Sequence, residues 1–449
     1  MNSEWDAYLQ GVPDAIAPDP APSLEALRPP SMPWAIHGTV FGPNGWADGY
    51  VTIAGGAVAA ISTSRPADVA SVLETDRSLV LPGLIDLHGH PEFNIFQAWE
   101  PPRTYANRYE WRKQEPAYRI LVADPMDYLE KVVKLRPMCA RYAEMRALVG
   151  GVTAIQGASA FYPDPSEALV RNVDLPIFGR HQVRSFVDLP SDTKAAKLRT
   201  EIDNHEVDRV YLHLAEGVDQ SSSDEFDRLC ALNLLGPWTV VIHGTGLTRQ
   251  QLGALRDAGA KLVWSPQSNF RLYGKTTQAA EAIRLKIDVG LGADWLPSGS
   301  RSLLDEVRVA RRALRAQGLD VKPRKFVEMA TSTAARIAGL DELGVLKPEA
   351  LADVCVLERR HDDPDESFAS SDPSAVALVA IGGDVAYARS DWWRTLFETG
   401  APESVMAWGT EMQLDTGFRM TPSSPPPLPL SEVRKSLLAA FIGTGPIFA

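Results

Sequence analysis

The order of apolar and polar positions divides the chain into three textures. Residues 35–80 carry short runs (AIHGTVFG, GYVTIAGGAVAAIS and SVLETDRSLV) with strand-like patterning and with Gly and Asn at the turns. A matching set returns late, at LADVCVLE and AVALVAIGGDVAYA. Between these flanks, apolar runs of strand length alternate with stretches of helical spacing, the texture of a parallel α/β core. Strands are predicted at LIDLH (84–88), VTAIQG (152–157), IFGRHQVRSF (177–186), VYLHL (210–214), TVVIH (239–243), KLVWS (261–265) and VGLGAD (289–294). Helices are predicted over YLEKVVKLRPMCARYAEMRALVG, TRQQLGALRDAG, SLLDEVRVARRALRAQG and RKFVEMATSTAARIAGL.

These elements predict a β/α (TIM-like) barrel with a small β-sandwich formed by both chain ends. The strand count falls one short of eight, and Phe186 to Val210 is too short for a full helix–strand–helix unit, so one strand is missing or distorted. The expected organisation is a Pro-rich extension over 1–34, the N-terminal contribution to the sandwich over 35–80, the barrel over 81–343, the C-terminal contribution to the sandwich over 344–390 and a C-terminal extension over 391–449. Proline-rich PDAIAPDPAPSLEALRPPSMP and PSSPPPLP exclude helix interiors and central strands. SEVRKSLLAAF then reads as a short amphipathic helix with Ser431 as its N-cap. Both ends are read as packing or tethering segments, with a homo-oligomer as one thing they could tether.

Net charge changes the picture by exclusion. At −12 over 449 residues, nucleic acid and anionic membrane surfaces are poor partners. No apolar run approaches the roughly 20 residues of a membrane span, and MNSEWDAYLQGVPD lacks the apolar core of a secretory signal. Cys139, Cys230 and Cys355 form no metal-binding motif and suit a reducing compartment, so the expected location is cytoplasmic.

The chemistry lies where the predicted strands end. LIDLH runs into His88-Gly89-His90, VYLHL bears His213 with Glu216 three residues on, TVVIH ends on His243, and VGLGAD ends on Asp294. In a β/α barrel the C-terminal strand ends meet at one rim, so these groups should converge. Alternate strand residues share a side, so His88 and His90 can grip one ion. Three imidazoles and a carboxylate suit zinc first, with iron or manganese as alternatives.

PGLIDLHGH, HLAEG, IHGTGL, SPQSN, GLGADW and the tail FVEMATSTAARIAGLDELGVLKPEALADVCVL resemble the successive motifs of the amidohydrolase superfamily, over roughly residues 35–390. They are most similar to its aminohydrolase branch, which includes S-adenosylhomocysteine, guanine and triazine deaminases or chlorohydrolases. The resemblance implies one divalent metal held by His88, His90, His213 and Asp294. It also implies Glu216 as acid/base, His243 as the imidazole beside the attacking water, and Asp294 as the group that accepts its proton. Binuclear relatives need a bridging Lys or Glu on a middle strand, and IFGRHQVRSF has neither. His181 in that strand is read as a substrate contact, a spare ligand or a plain polar residue.

The implied reaction is hydrolysis of a C–N bond in a small-molecule substrate, with deamination of an N-heterocycle first. Amide or C–halide hydrolysis on the same site is the runner-up, and a catalytically inactive scaffold is the alternative of another class. The segment after His90 (PEFNIFQAWEPPRTYANRYEWRKQEPAYR) carries Trp99, Arg103 and Arg108 and reads either as a substrate wall or as a packed loop. Gln156 and Asn269 should face the same rim, as heterocycle contacts or as caps. Ser265 and Ser268 lack the G-x-S-x-G elbow of a nucleophile.

Overall fold

Strands supplied by both ends of the chain share one sheet, and the strands between them carry the chemistry. The structure, a computed structural model, describes residues 32–157, 168–174, 183–397, 402–418 and 428–448. Most of the N-terminal extension and residues 422–427 of the second proline stretch lie outside the described residues.

The described chain opens with β1 (Trp34–Gly42), β2 (Gly45–Ala54), β3 (Ala57–Ser62), β4 (Ser71–Leu73) and β5 (Leu79–Pro82). The central strands follow as β6 (Leu84–Asp86), β7 (Val152–Ile155), β8 (Arg171–Asn172), β9 (Val183–Phe186), β10 (Arg209–Leu214), β11 (Thr239–His243), β12 (Lys261–Trp264) and β13 (Val289–Leu291). The last are β14 (Val354–Leu357), β15 (Val376–Ile381), β16 (Asp384–Arg389), β17 (Glu403–Ala407) and β18 (Thr410–Leu414).

The central strands pair in parallel as β6-β7-β8 and as β13-β12-β11-β10-β9. The two sheets are tied where β6 meets β13: Leu87 N donates to Leu291 O at 3.1 Å, Asp294 N to His88 O at 2.9 Å, and His90 N to Asp294 O at 3.2 Å. Between β8 and β9 no ladder runs among the described residues. Side chains cross there instead, with Ser185 Oγ donating to Asp174 Oδ1 at 2.8 Å and Gln156 Nε2 donating to Ser185 Oγ at 3.0 Å. This is the strand order of a β/α barrel.

The strand absent from the sequence reading is β8. It is only an Arg-Asn pair, and Arg171 is buried through a two-pronged ion pair with Asp353 at 2.8 and 2.9 Å. A buried ion pair leaves no apolar signature. The stretch from Phe186 to Val210 conceals no strand, because the one helix Asp192–Asp203 makes the whole crossover. Of the predicted helices, 128–150 divides into a π-helical turn Tyr128–Val132 and a helix Arg136–Val149, and 324–340 into Arg324–Ala330 and Ser332–Ala338, whereas the other two carry side-chain caps. Thr248 and Gln251 form a capping box, and Ser302 accepts from Asp305 N.

The expected sandwich takes a different form. The described end strands make a single sheet in the order β17-β18-β16-β15-β14-β5-β1-β2-β3, with β4 also on β1. Its two halves join through antiparallel β5–β14 pairing, and β17 and β18 come from the stretch read as an extension. The period of two explains why both faces are apolar. Val80, Val354, Val356, Leu378 and Ala380 pack on a core of the sheet's own, whereas Leu79, Leu81, Cys355, Leu357 and Val379 join the barrel core.

The C-terminal helix spans Leu430–Ala440, so Ser431 lies inside it and is not its N-cap. The Glu403 carboxylate of β17 takes that role, accepting from Leu430 N at 2.5 Å and Ser431 N at 2.9 Å. Beyond this helix the tail docks on the barrel, with Arg146 donating to Pro446 O at 2.6 Å and Gly445 N donating to Ile95 O at 2.7 Å. The described helices include none long and apolar enough to cross a membrane.

Candidate active site

Four strand ends bring the predicted residues into contact. His88 follows β6, His213 lies near the end of β10, His243 closes β11, and Asp294 follows β13. The His88 ring centroid lies 4.7 Å from His213, 5.1 Å from His90 and 5.2 Å from His243. Asp294 Oδ1 stands 3.2 Å from His88 Nε2 and 3.8 Å from His90 Nε2. Ligand atoms of His88, His213 and His243 form one compact set, and those of His88, His90 and Asp294 form another.

The backbone bends to achieve this. His243 and Asp294 have φ of +65° and +62°, a left-handed conformation unusual outside glycine and frequent at functional sites. Thr277 Oγ1 steadies the first by donating to His243 O at 2.6 Å. Close approach also dictates Gly292, where a Cβ would stand 2.5 Å from the His88 Cβ.

The donor set fits a divalent cation. His213 Nδ1 lies 3.3 Å from the Phe186 carbonyl, which only accepts, so Nδ1 carries the proton and Nε2 keeps its lone pair. His88 Nδ1 is buried with no hydrogen-bond partner. Burial, reinforced by neighbouring imidazoles, pushes His90 and His243 down to about 3 and His213 well down, so these rings are neutral, as ligation requires. Burial raises the Asp294 carboxyl, but its neighbours, led by the charge and hydrogen bond of His88, hold it below the ordinary carboxylate range.

Glu216 stands beside this cluster, with Oε2 3.8 Å from His243 Nε2. Burial pushes its carboxyl up to about 7, against the opposing charge of Arg108 and a hydrogen bond from Tyr273. That value suits a group that exchanges a proton at neutral pH.

The remaining predicted residues fall into other places. Arg108 is 1% exposed and spends its guanidinium on Asp188 at 3.2 Å and Glu225 at 2.8 Å. Glu225 in turn accepts from Ala215 N at 2.8 Å, so Arg108 braces the end of β10. Arg103 is half exposed, pairs with Glu110 and lies over the Tyr105 ring. Arg108 and Arg112 both bear on the cluster: Arg108 lowers Glu216 more than Arg112 does, and Arg112 also lowers His90.

Asn269 is fully buried, with its amide committed to His243 Nδ1 at 3.1 Å and to the Thr276 hydroxyl at 3.2 Å. Gln156 Nε2 donates to Asp174 Oδ1 at 2.9 Å, and its Oε1 is buried without a partner among the described residues. His181 lies outside the described residues.

The stretch after His90 is more regular than a loop. It contains a 3-10 helix over Pro91–Ile95 and an α-helix over Arg108–Gln114, the latter capped by Asn107. Its aromatic side chains Phe93, Trp111 and Tyr118 pack on Trp295 beside the cluster. Trp295, which sequence reasoning passed over, stands 6.1 Å from His90. Trp99 is buried behind Trp111 and Tyr118. Tyr273 was also missed, although it lies one helical turn beyond Asn269.

Residues 193–386 match the amidohydrolase family. The chain is 25% identical over 351 residues to 5-methylthioadenosine/S-adenosylhomocysteine deaminase 1 of Syntrophus aciditrophicus, covering 69% of this chain and 79% of that relative. It is 24% identical over 345 residues to 8-oxoguanine deaminase of Pseudomonas aeruginosa, covering 64% and 76%. Among solved structures it resembles a zinc-bound adenosine deaminase from Xanthomonas campestris, with a TM-score of 0.65 and 16% identity over 82% of this chain and 94% of that one. The match to the amidohydrolase family thus covers residues 193–386, and the likeness to the solved structure is one of fold.

Proposed function

We propose that the protein is a metal-dependent aminohydrolase that releases ammonia from a small N-heterocycle. The observation that carries this reading is the convergence of four imidazoles, Asp294 and the raised Glu216 carboxyl from four strand ends. His88, His90, His213 and Asp294 would hold one divalent ion, with zinc first and iron or manganese as alternatives. Bound there, the ion supplies Lewis acidity that makes water nucleophilic at neutral pH. Asp294 accepts the proton that water gives up, and Glu216 protonates the ring or leaving nitrogen. His243 orients the attacking oxygen.

The aromatic walls of Trp111 and Trp295 suit a planar substrate. Relatives that act on adenosine-derived and guanine-type heterocycles support the same class. Three free thiols and the absence of a membrane-crossing helix among the described residues support a cytoplasmic enzyme. The test is a screen of purines, pyrimidines, triazines and pterins for ammonia release. Turnover of acyl-amides alone would favour amide hydrolysis, and zinc binding with no turnover of any class would favour an inactive scaffold.

A further inference from the structure

We infer that the helix Pro266–Tyr273 sets the proton-bearing atoms of both His243 and Glu216, holding His243 as its Nε2–H tautomer and leaving Glu216 Oε2 as the working oxygen. Asn269 and Tyr273 lie four residues apart on this helix, so they share one face. Each is oriented by a tryptophan, whose indole N–H can only donate.

The first relay begins at Trp264, whose Nε1 donates to Thr276 Oγ1 at 2.7 Å. That hydroxyl, already accepting, gives its own proton to Asn269 Oδ1 at 3.2 Å. The neighbouring Thr277 spends its proton on His243 O at 2.6 Å. With Oδ1 engaged, Asn269 turns its Nδ2 toward His243 Nδ1 at 3.1 Å and donates there. His243 Nδ1 is therefore an acceptor, and a neutral imidazole must then carry its proton on Nε2.

The second relay begins at Trp111, whose Nε1 donates to the Tyr273 oxygen at 3.0 Å. Tyr273 passes its proton to Glu216 Oε1 at 2.6 Å. The two atoms left over, His243 Nε2 and Glu216 Oε2, are those that face each other at 3.8 Å. His213 is held the opposite way: its Nδ1 donates to a carbonyl and its Nε2 is bare. The relays thus separate a ligand imidazole from a donor imidazole within one ring cluster. Asn269, Thr276 and Tyr273 act through their neighbours and are positioning residues. The inference rests on the proposed roles of His243 and Glu216.

Asn269→Asp tests it with almost no change of shape, because a carboxylate can only accept and would draw the His243 proton to Nδ1. The readout is the imidazole ¹⁵N shifts of His243 in the full chain, zinc-reconstituted and metal-free, assigned by their loss in His243→Gln. The expected result is a protonated Nε2 in the wild type and a protonated Nδ1 in Asn269→Asp. Thr276→Val, which frees the Asn269 amide to turn over, should give signals of both tautomers and serves if the first variant does not fold. A wild-type proton on Nδ1, or an identical pattern in wild type and variants, overturns the inference. The expected nitrogen pattern without ammonia release from any heterocycle would uphold it while removing the proposed reaction. Ammonia release with the reversed pattern would remove the inference alone.

Discussion

Tyr273 donates to Glu216 Oε1 at 2.6 Å while its own oxygen accepts from Trp111 Nε1 at 3.0 Å, so the carboxylate is braced on one oxygen only. Burial pushes Glu216 up to about 7, and Arg108 and Tyr273 hold it below where burial alone would take it. An acid works in its protonated form, so activity is lost as pH rises through this value. Tyr273→Phe removes a bond to the charged form and moves the pKa, and with it the alkaline limb of kcat/KM, to higher pH. A shift of about one unit is expected. A limb that does not move would remove Tyr273 from the control of Glu216.

Metal and proton transfer should separate by mutation. Glu216→Gln keeps volume and removes no proposed ligand, so metal content should hold while turnover falls at least about a hundredfold. His88→Ala should lose metal and activity together. Elemental analysis should find one transition-metal equivalent in wild type and in Glu216→Gln. Two tightly held equivalents in the wild type would overturn the mononuclear site.

The two arginines after His90 should behave in opposite ways. Arg108→Ala takes the guanidinium from Glu225 beside a buried strand end, while Asp188 keeps Arg112, and losing one partner of a buried pair costs about 3–5 kcal/mol. Arg103→Ala removes an exposed pair worth about 0–1 kcal/mol. Thermal denaturation should therefore show a large loss for Arg108→Ala and almost none for Arg103→Ala. Equal effects would contradict the assignment of Arg108 as a brace.

Glu306 offers a stability test away from the reacting atoms. It is buried, accepts from Gln267 N at 3.0 Å and from the Ser300 hydroxyl, and burial pushes it up to about 8. A raised carboxyl favours the fold fully below its ordinary value near 4.5, and that contribution is lost as pH rises through about 8. Glu306→Gln does not ionise and should escape this loss. Its Tm relative to wild type should rise between pH 6 and pH 9 by at least about 2 °C. A difference that does not grow with pH would show that Glu306 is ionised in the fold.

Strand-end chemistry was legible in the linear pattern because its determinants are local. A run such as TVVIH must bury its apolar residues, and the residue that closes it emerges at the rim. That placed His88, His90, His213, His243, Glu216 and Asp294 by number, and the folded chain brings these six together. Residues that act through long-range partners were not legible. Arg171 reads as polar loop until Asp353, far along the chain, makes it a buried strand. Arg108 reads equally as substrate wall or as packed loop until its partners Glu225 and Asp188 are seen.

The sequence by itself determined the α/β core, the pairing of chain ends in β structure and the cluster of imidazoles with two carboxylates, since each follows from periodicity and strand order. Tertiary structure alone decided that the end strands make one sheet, that Asn269 faces His243 and that Tyr273 faces Glu216. The reason is physical. Burial of an apolar residue needs only an interior, which periodicity predicts, whereas a buried polar atom needs one particular partner at about 3 Å, and that partner is chosen by how distant segments meet.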